Sequence, residues 1–417
     1  MTEIAAREPS PSERPRIGLV LSGGGARGAY EAGVLAHLFE EVYPRLRSGF
    51  EFDVVSGTSV GAIHAAYVAA SAHQAGAERA SQLLETWRSM RVREVLQLSA
   101  GDLVGVPLRA LGVSRLARRL REGAEVIGGL VDVRPLERIV RERVPWQQLP
   151  ENLSGSRPGA LCISCTEVRS GHATVFMDGP LADPAPWAFD ANSKAQAVAL
   201  APRHVRASAA IPFFFPAVRL GERYYVDGGL RMNTPLSPAL RLGCDRVLVV
   251  GLKHLLASNE EHPPYPEEVI GQPAFLLGKV LNALMLDRLE YELQRVELVN
   301  DLIEQGREIY GSEFLDRINV AVRGKRGADY RPVAALTLRP SRDVGRVAAE
   351  CYRRQGSRSL GLLPGLLTRL ALRGVPEDEA DLLSYLFFDR CFTSALVEMG
   401  RADARARHQE LLALLGG

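Results

Sequence analysis

The sequence is short of several things, and each shortage narrows what the chain can be. Cysteine is scarce: Cys162, Cys165, Cys244, Cys351 and Cys391 form an odd, scattered set of five. Such a set does not build a disulfide framework, and it favours a reducing, cytoplasmic setting. Cys162 and Cys165 have C-x-x-C spacing, but no second pair completes a zinc site. Leu161 to Thr166 reads instead as a buried strand whose thiols pack in the core. No histidine cluster or carboxylate array with ligand spacing stands beside the motifs below, so neither metal nor cofactor is expected. Net charge is nearly missing, +2 over 417 residues, which argues against a nucleic-acid partner. Lysine is confined to Lys194, Lys253, Lys279 and Lys325, and the other basic residues are arginine. That preference reads first as a compositional bias of the genome, although Arg-rich helices also suit anionic lipid surfaces. No stretch reaches the roughly 18 uninterrupted apolar residues of a spanning helix, so membrane contact would be peripheral. Residues 1–16 lack the basic-then-apolar order of a secretory signal and read as a disordered lead-in.

What is present is enough apolar residue, 46% of the chain, to bury a large core. Ile17 to Ser22 is an apolar run that ends in glycines, and Ala29 to Glu40 then follows helical spacing. The rhythm repeats at once in the strand-like Phe52 to Ser56 and the Ala-rich Val60 to Ala70. Strand alternating with helix implies an α/β sheet. Further strands are expected over Leu161 to Glu167, Ala173 to Met177, Val218 to Val226 and Arg246 to Val250, with one more over Ala334 to Leu338. Helices are expected over Ser81 to Ser99, Val113 to Arg121, Pro135 to Arg143, Phe275 to Glu304 and most of Ala380 to Leu415. Asp178 to Lys194 reads as a loop, and Thr234 with Pro235 should open a helix by capping. The predicted fold is a three-layer α/β/α sandwich with a central, mainly parallel sheet. Its catalytic domain spans 17–253, a linker or mobile segment follows over 254–273, and a mainly helical region fills 274–417. That last region carries no interpretable motif; covering the site, membrane binding and self-association into a homo-oligomer all stay open for it.

Three motifs carry chemistry. Gly57-Thr58-Ser59-Val60-Gly61 is a G-x-S-x-G sequence placed where a strand ends and a helix begins. Glycines on both sides let Ser59 take a strained backbone conformation and hold its hydroxyl out of the sheet. Gly23-Gly24-Gly25-Ala26-Arg27-Gly28 follows the first strand and offers unhindered backbone N–H groups at a helix start, suited to an oxyanion hole. The rival dinucleotide reading of Gly23, Gly25 and Gly28 lacks an acid ending the second strand, because that strand runs into the serine elbow. Asp227-Gly228-Gly229 follows an apolar strand, so a carboxylate at its end can face the rim that holds Ser59. Histidines for a Ser-Asp-His triad would have to be His254, His262 or His408, none of them in a convincing strand-end loop. His64 lies five positions after Ser59, off its face, and reads as packing or surface. The aromatic Pro212 to Pro216 segment suits an acyl channel, a bilayer interface or, more simply, core.

Taken in this order, the three motifs resemble those of the patatin-like phospholipases: a G-G-G-x-R-G loop, a G-x-S-x-G elbow and a D-G-G triplet. Ala207 to Pro212 and Asn233 to Leu236 also look like that family's surroundings, and the resemblance covers about Arg16 to Leu252. It implies a Ser–Asp dyad in which Asp227 takes the Ser59 proton directly. It also implies an oxyanion hole at Gly24, Gly25 and Ala26 or their neighbours, and hydrolysis of fatty-acyl esters of phospholipids or lysophospholipids at a membrane or micelle surface. For Arg27 two roles are open, bracing of the loop through an ion pair, which is the preferred reading, or contact with a phosphate headgroup. An acyltransferase using the same acyl-enzyme and a non-catalytic lipid-binding protein are the alternatives.

Overall fold

The computed structural model describes residues 14–90, 126–127, 134–155, 158–212, 215–255, 276, 279, 283, 288–355 and 381–416. Ten strands are described: β1 (Ile17–Leu21), β2 (Val54–Thr58), β3 (Val126–Ile127), β4 (Ala160–Glu167), β5 (Ala173–Asp178), β6 (Ser193–Ala197), β7 (Ala217–Leu220), β8 (Arg223–Asp227), β9 (Arg246–Val250) and β10 (Ala334–Leu338). Up to β7 the α-helices are α1 (Gly28–His37), α2 (Val60–Ala70), α3 (Gly76–Ser89), α4 (Arg134–Arg143), α5 (Leu149–Ser154) and α6 (Pro202–Ser208). After β8 come α7 (Gly229–Met232), α8 (Leu236–Arg241), α9 (Arg288–Tyr310), α10 (Phe314–Arg326), α11 (Val344–Gln355), α12 (Asp381–Leu386), α13 (Arg390–Ala406) and α14 (His408–Leu415).

The strands form one sheet in the order β10-β9-β1-β2-β4-β8-β7-β3, with β5 and β6 joined through β4. From β10 to β4 every pairing is parallel. β1 and β2 are buried at every position, which is why both read as apolar or small-residue runs without alternation. Successive side chains nonetheless serve different layers. Leu19, Leu21, Leu161 and Ile163 join the core under α1, α2 and α3, whereas Val20, Ala160 and Cys162 join the core under α8 and α9. These are the three layers expected.

The C-terminal helices pack on the first layer. α13 crosses α1 so closely that a Cβ on Gly33 would lie 2.1 Å from the Val397 carbonyl oxygen, and one on Gly400 would lie 2.1 Å from that of Tyr30. Only glycine permits that backbone approach.

Four local expectations are revised. Val218 to Val226 is a hairpin of β7 and β8, broken by the positive φ of Gly221. Asp178 to Lys194 is a loop only in part, since Ser193 already pairs with Ala173 as β6 begins. Thr234 does not cap α8; its hydroxyl meets Ser22 Oγ at 2.8 Å instead. Cys351 and Cys391 are joined in a disulfide between α11 and α13, so cysteine usage no longer argues for a reducing compartment. Cys162, Cys165 and Cys244 are free and buried. The expected helix over Val113 to Arg121, residues 91–99, most of the 254–273 segment and residues 1–13 lie outside the described residues.

Candidate active site

The meeting of Ser59 with Asp227 follows from the register of β4. One edge of β4 pairs with β5 over Leu161 to Thr166. The other edge is shared: β2 pairs with it in parallel up to Thr58 opposite Ser164, and β8 pairs with it antiparallel down to Asp227 opposite Cys165. The two strands therefore run toward each other along one edge and end one residue step apart, about 3.3 Å. The expectation placed Asp227 at the carboxyl rim of a strand like its neighbours. It does reach that rim, but on a strand that comes back from beyond it. Gly228 completes the junction, because a Cβ there would lie 2.2 Å from the Ser164 carbonyl oxygen and 3.0 Å from Thr58 Cγ2.

Ser59 is the one non-glycine residue with positive φ among the described residues, at φ 55° and ψ −121°. Such a conformation costs about 1–3 kcal/mol and persists only where the surroundings fix it. Here they do. The Ser59 amide donates to Ser208 Oγ at 2.9 Å, and Ser208 Oγ donates in turn to the Ser164 carbonyl at 2.6 Å. Thr58 Oγ1 donates to the Met232 carbonyl at 2.7 Å. α2 starts immediately afterwards at Val60, so the side chain of Ser59 stands at a helix N-terminus, where negative charge is favoured.

Asp227 is fully buried. Oδ1 accepts from the Gly229 amide at 2.7 Å, while Oδ2 has no partner in full hydrogen-bond geometry. Burial pushes its pKa from 3.8 up to about 7, against the Ser59 hydroxyl and the Gly229 amide, which favour the charged form. The serine is thus close enough to act on the carboxyl, with one oxygen still open toward a proton.

The glycine loop forms the third side. Asn233 clamps its start twice: the Gly23 amide donates to the Asn233 carbonyl at 3.0 Å, and Asn233 Nδ2 donates to the Gly23 carbonyl at 3.1 Å. A Cβ on Gly23 would lie 3.2 Å from Ser59 Cβ, which sets the loop directly against the serine. Gly25 takes φ 56°, and a Cβ there would lie 2.3 Å from the Tyr385 carbonyl oxygen. Gly25, Ala26 and Arg27 make one 3₁₀ turn leading into α1. Arg27 is buried; its Nε donates to Ser384 Oγ at 2.8 Å and its guanidinium lies 4.1 Å from the centre of the Tyr385 ring. It therefore ties the loop to α12. Gly28 packs against Val60; a Cβ on Gly57 would strike the Gly61 backbone across the elbow, and one on Gly61 would strike the Leu21 carbonyl at the end of β1.

An apolar cavity opens beside Ser59. Val60, Ile63, Leu83, Trp87, Leu136, Ile139, Ile211 and Phe215 line it together with Leu386 and Phe388 from the C-terminal region. Phe215 is both buried and cavity-lining, so the core and channel readings of its segment meet; Phe213 and Phe214 lie outside the described residues. His64 is buried in the same wall, with Nδ1 2.7 Å from Glu31 Oε2 and Nε2 accepting from Trp87 Nε1 at 2.9 Å. Of the triad candidates, His254 Nδ1 meets the Pro340 carbonyl at 2.8 Å and His408 meets His37 at 3.2 Å; His262 lies outside the described residues. Among the described residues no group of three or more ligating side chains is placed to hold a metal, and no helix is long and apolar enough to cross a membrane.

Sequence reading did not single out Ser208, Asn233, Glu31 or the α12 residues Ser384 and Tyr385. Ser208 and Asn233 sit in the two flanking segments that carried the resemblance. Glu31 had a signal of its own, the one acid in a helix made mostly of small and apolar residues.

Residues 19–240 match the family model described as patatin-like phospholipase. Uncharacterized NTE family proteins from Mycobacterium bovis and Mycobacterium tuberculosis are 25% identical over 252 residues, which are 60% of this chain and 53% of theirs. The chain thus spans about half the length of the curated relatives it matches. The crystal structure of VipD from Legionella pneumophila aligns over 92% of this chain and 67% of its own, with 14% identity and a TM-score of 0.33. On the family match, which takes in more than half of its residues and all three motifs, the chain belongs to the patatin-like phospholipase family.

Proposed function

We propose that the protein is a serine acyl hydrolase that cleaves fatty-acyl esters of phospholipids or lysophospholipids through a Ser59–Asp227 dyad. The observation that carries the reading is the head-on meeting of Ser59 with a buried carboxyl whose pKa sits at about 7. A base poised near neutrality both accepts a proton and returns it efficiently. The apolar cavity at the serine suits a fatty-acyl chain.

In this mechanism Ser59 Oγ attacks the ester carbonyl carbon while its proton passes to Asp227 Oδ2. Amides of Gly24, Gly25 and Ala26 receive the oxyanion of the tetrahedral intermediate. Collapse breaks the ester C–O bond, and Asp227 returns the proton to the departing alcohol. Water then attacks the acyl-enzyme, giving its proton to Asp227, and the fatty acid leaves as Ser59 regains its hydrogen. The lipid would be met at a membrane or micelle surface.

The test is release of fatty acid from lysophospholipid micelles by the wild type and by Ser59→Ala. Turnover lost in the variant with the fold retained supports the reading, and equal turnover removes Ser59 from it. Adding glycerol as a second acceptor separates hydrolysis from acyl transfer by the products formed.

A further inference from the structure

α1 buries all ten of its residues, and one of them is an acid. Glu31 is fully buried, and its two oxygens are used differently. Oε1 accepts from the Ser22 amide at 2.7 Å, and Oε2 lies 2.7 Å from His64 Nδ1. His64 Nε2 in turn faces Trp87 Nε1 at 2.9 Å, and the Trp87 ring stacks on Phe388 with 6.3 Å between centroids. The chain of contacts leads from the residue that opens the glycine loop, through the helix that follows Ser59, to the cavity wall.

The protons along this chain are determined. An indole N–H can only donate, so His64 Nε2 must be the accepting nitrogen. A neutral imidazole then carries its hydrogen on Nδ1, and that hydrogen must point at Glu31 Oε2. Were Glu31 protonated on Oε2, it would donate to Nδ1, move the imidazole hydrogen to Nε2 and set it against the Trp87 N–H. Both Glu31 oxygens thus face N–H donors, the Ser22 amide and His64 Nδ1, an arrangement that suits a carboxylate, although burial pushes its pKa upward. A buried anion without a full cation partner is costly, and an apolar pair of similar size would serve packing better.

We propose that Trp87, His64 and Glu31 are positioning residues for acyl transfer at Ser59: Trp87 sets the His64 tautomer, His64 keeps Glu31 a carboxylate, and Glu31 holds the Ser22 amide and the glycine loop behind it. The inference rests on the acyl-hydrolase reading of the site. It assigns the relay no contact with substrate; its effect is on the alignment of the loop amides with the oxyanion.

The relay predicts a rescue that packing alone would not produce. In Glu31→Gln the side-chain oxygen can still take the Ser22 amide, but its NH₂ then faces the Nδ1 hydrogen of His64. That conflict persists while Trp87 donates to Nε2. Removing the indole N–H by Trp87→Phe lets His64 shift its hydrogen to Nε2 and accept from the introduced carboxamide on Nδ1. The experiment measures kcat and KM on a short-chain chromogenic ester for wild type, Glu31→Gln, Trp87→Phe and the double variant. Rates are normalised to active serine titrated with a fluorophosphonate, so misfolded protein is not counted.

Loss of one oxyanion donor lowers kcat by about 100-fold or more, so Glu31→Gln is expected to fall by roughly 10- to 100-fold with KM within about twofold. The double variant is expected to recover at least about tenfold over Glu31→Gln, a non-additivity of the kind coupled neighbours show. Nitrogen-15 NMR of histidine in the full chain supplies a readout independent of turnover: Nδ1–H at His64 in the wild type and Nε2–H in the double variant. An Nε2–H tautomer in the wild type, or a double variant no better than the product of the two single effects, overturns the relay. So does normal kcat in Glu31→Gln while the wild type turns over. A wild type that neither turns over nor labels at Ser59 overturns the parent reading, and the relay falls with it.

Discussion

Asp227→Asn should make the protein more stable while disabling it, and the size of the gain depends on pH. The Asp227 carboxyl titrates near 7 in the fold because burial penalises its charged form, whereas in the unfolded chain it returns to 3.8. Below pH 3.8 both forms are protonated and the residue costs nothing. As pH rises further, the unfolded chain ionises first and the folded state falls behind by about 1.36 kcal/mol per pH unit. The cost stops growing above about pH 7, where the folded carboxyl ionises as well, and by then it amounts to about 4 kcal/mol. Asparagine carries no such cost: its oxygen can keep the Gly229 amide, and its NH₂ meets Ser59 Oγ as an acceptor. Urea unfolding followed by tryptophan fluorescence, run on both proteins from pH 4.5 to 8.5, reads the difference. The expected variant advantage is small near pH 4.5, grows to about 7, and is then level at up to about 4 kcal/mol. A difference that ignores pH, or a variant less stable at pH 8, would refute the argument.

Three further outcomes are expected. Ser59→Gly should be more stable than Ser59→Ala by about 1 kcal/mol, because only glycine relaxes at φ 55°; equal melting of the two variants would deny the strain. Gly25→Ala should lower turnover by at least about 100-fold, since its Cβ meets the Tyr385 carbonyl and displaces the loop amides, and wild-type kinetics in that variant would remove the loop from the mechanism. Replacing Cys351 and Cys391 by serine opens a loop of sequence separation 40 and should cost about 4 kcal/mol on chain entropy; an unchanged urea midpoint would show that the bridge does not form in solution.

The sequence made the parallel half of the sheet readable because its strands are buried on both faces and carry few competing polar residues. Val54 to Thr58 and Arg246 to Val250 are such runs, and the elbow could be located at the end of the first. The relation between Ser59 and Asp227 was harder, since it depends on β8 and β2 sharing one edge of β4, an arrangement of three strands distant in sequence that no local pattern encodes. For the same reason the C-terminal contribution escaped reading: Ser384, Tyr385 and Phe388 reach the site through tertiary packing alone. Thr234 shows a local rule overridden, its capping hydroxyl drawn instead to Ser22. The Cys351–Cys391 pair was invisible because cysteine count and spacing say nothing about which helices cross.

Activation of Ser59 by Asp227 can be read from the rate at which a fluorophosphonate labels the wild type and Asp227→Asn across pH, with peptide mapping of the labelled residue. Labelling at Ser59 should rise with pH about a midpoint near 7 in the wild type, as the carboxyl becomes able to accept the proton, and stay slow and independent of pH in the variant. Labelling at another residue, or an equally fast reaction in Asp227→Asn, would contradict that activation.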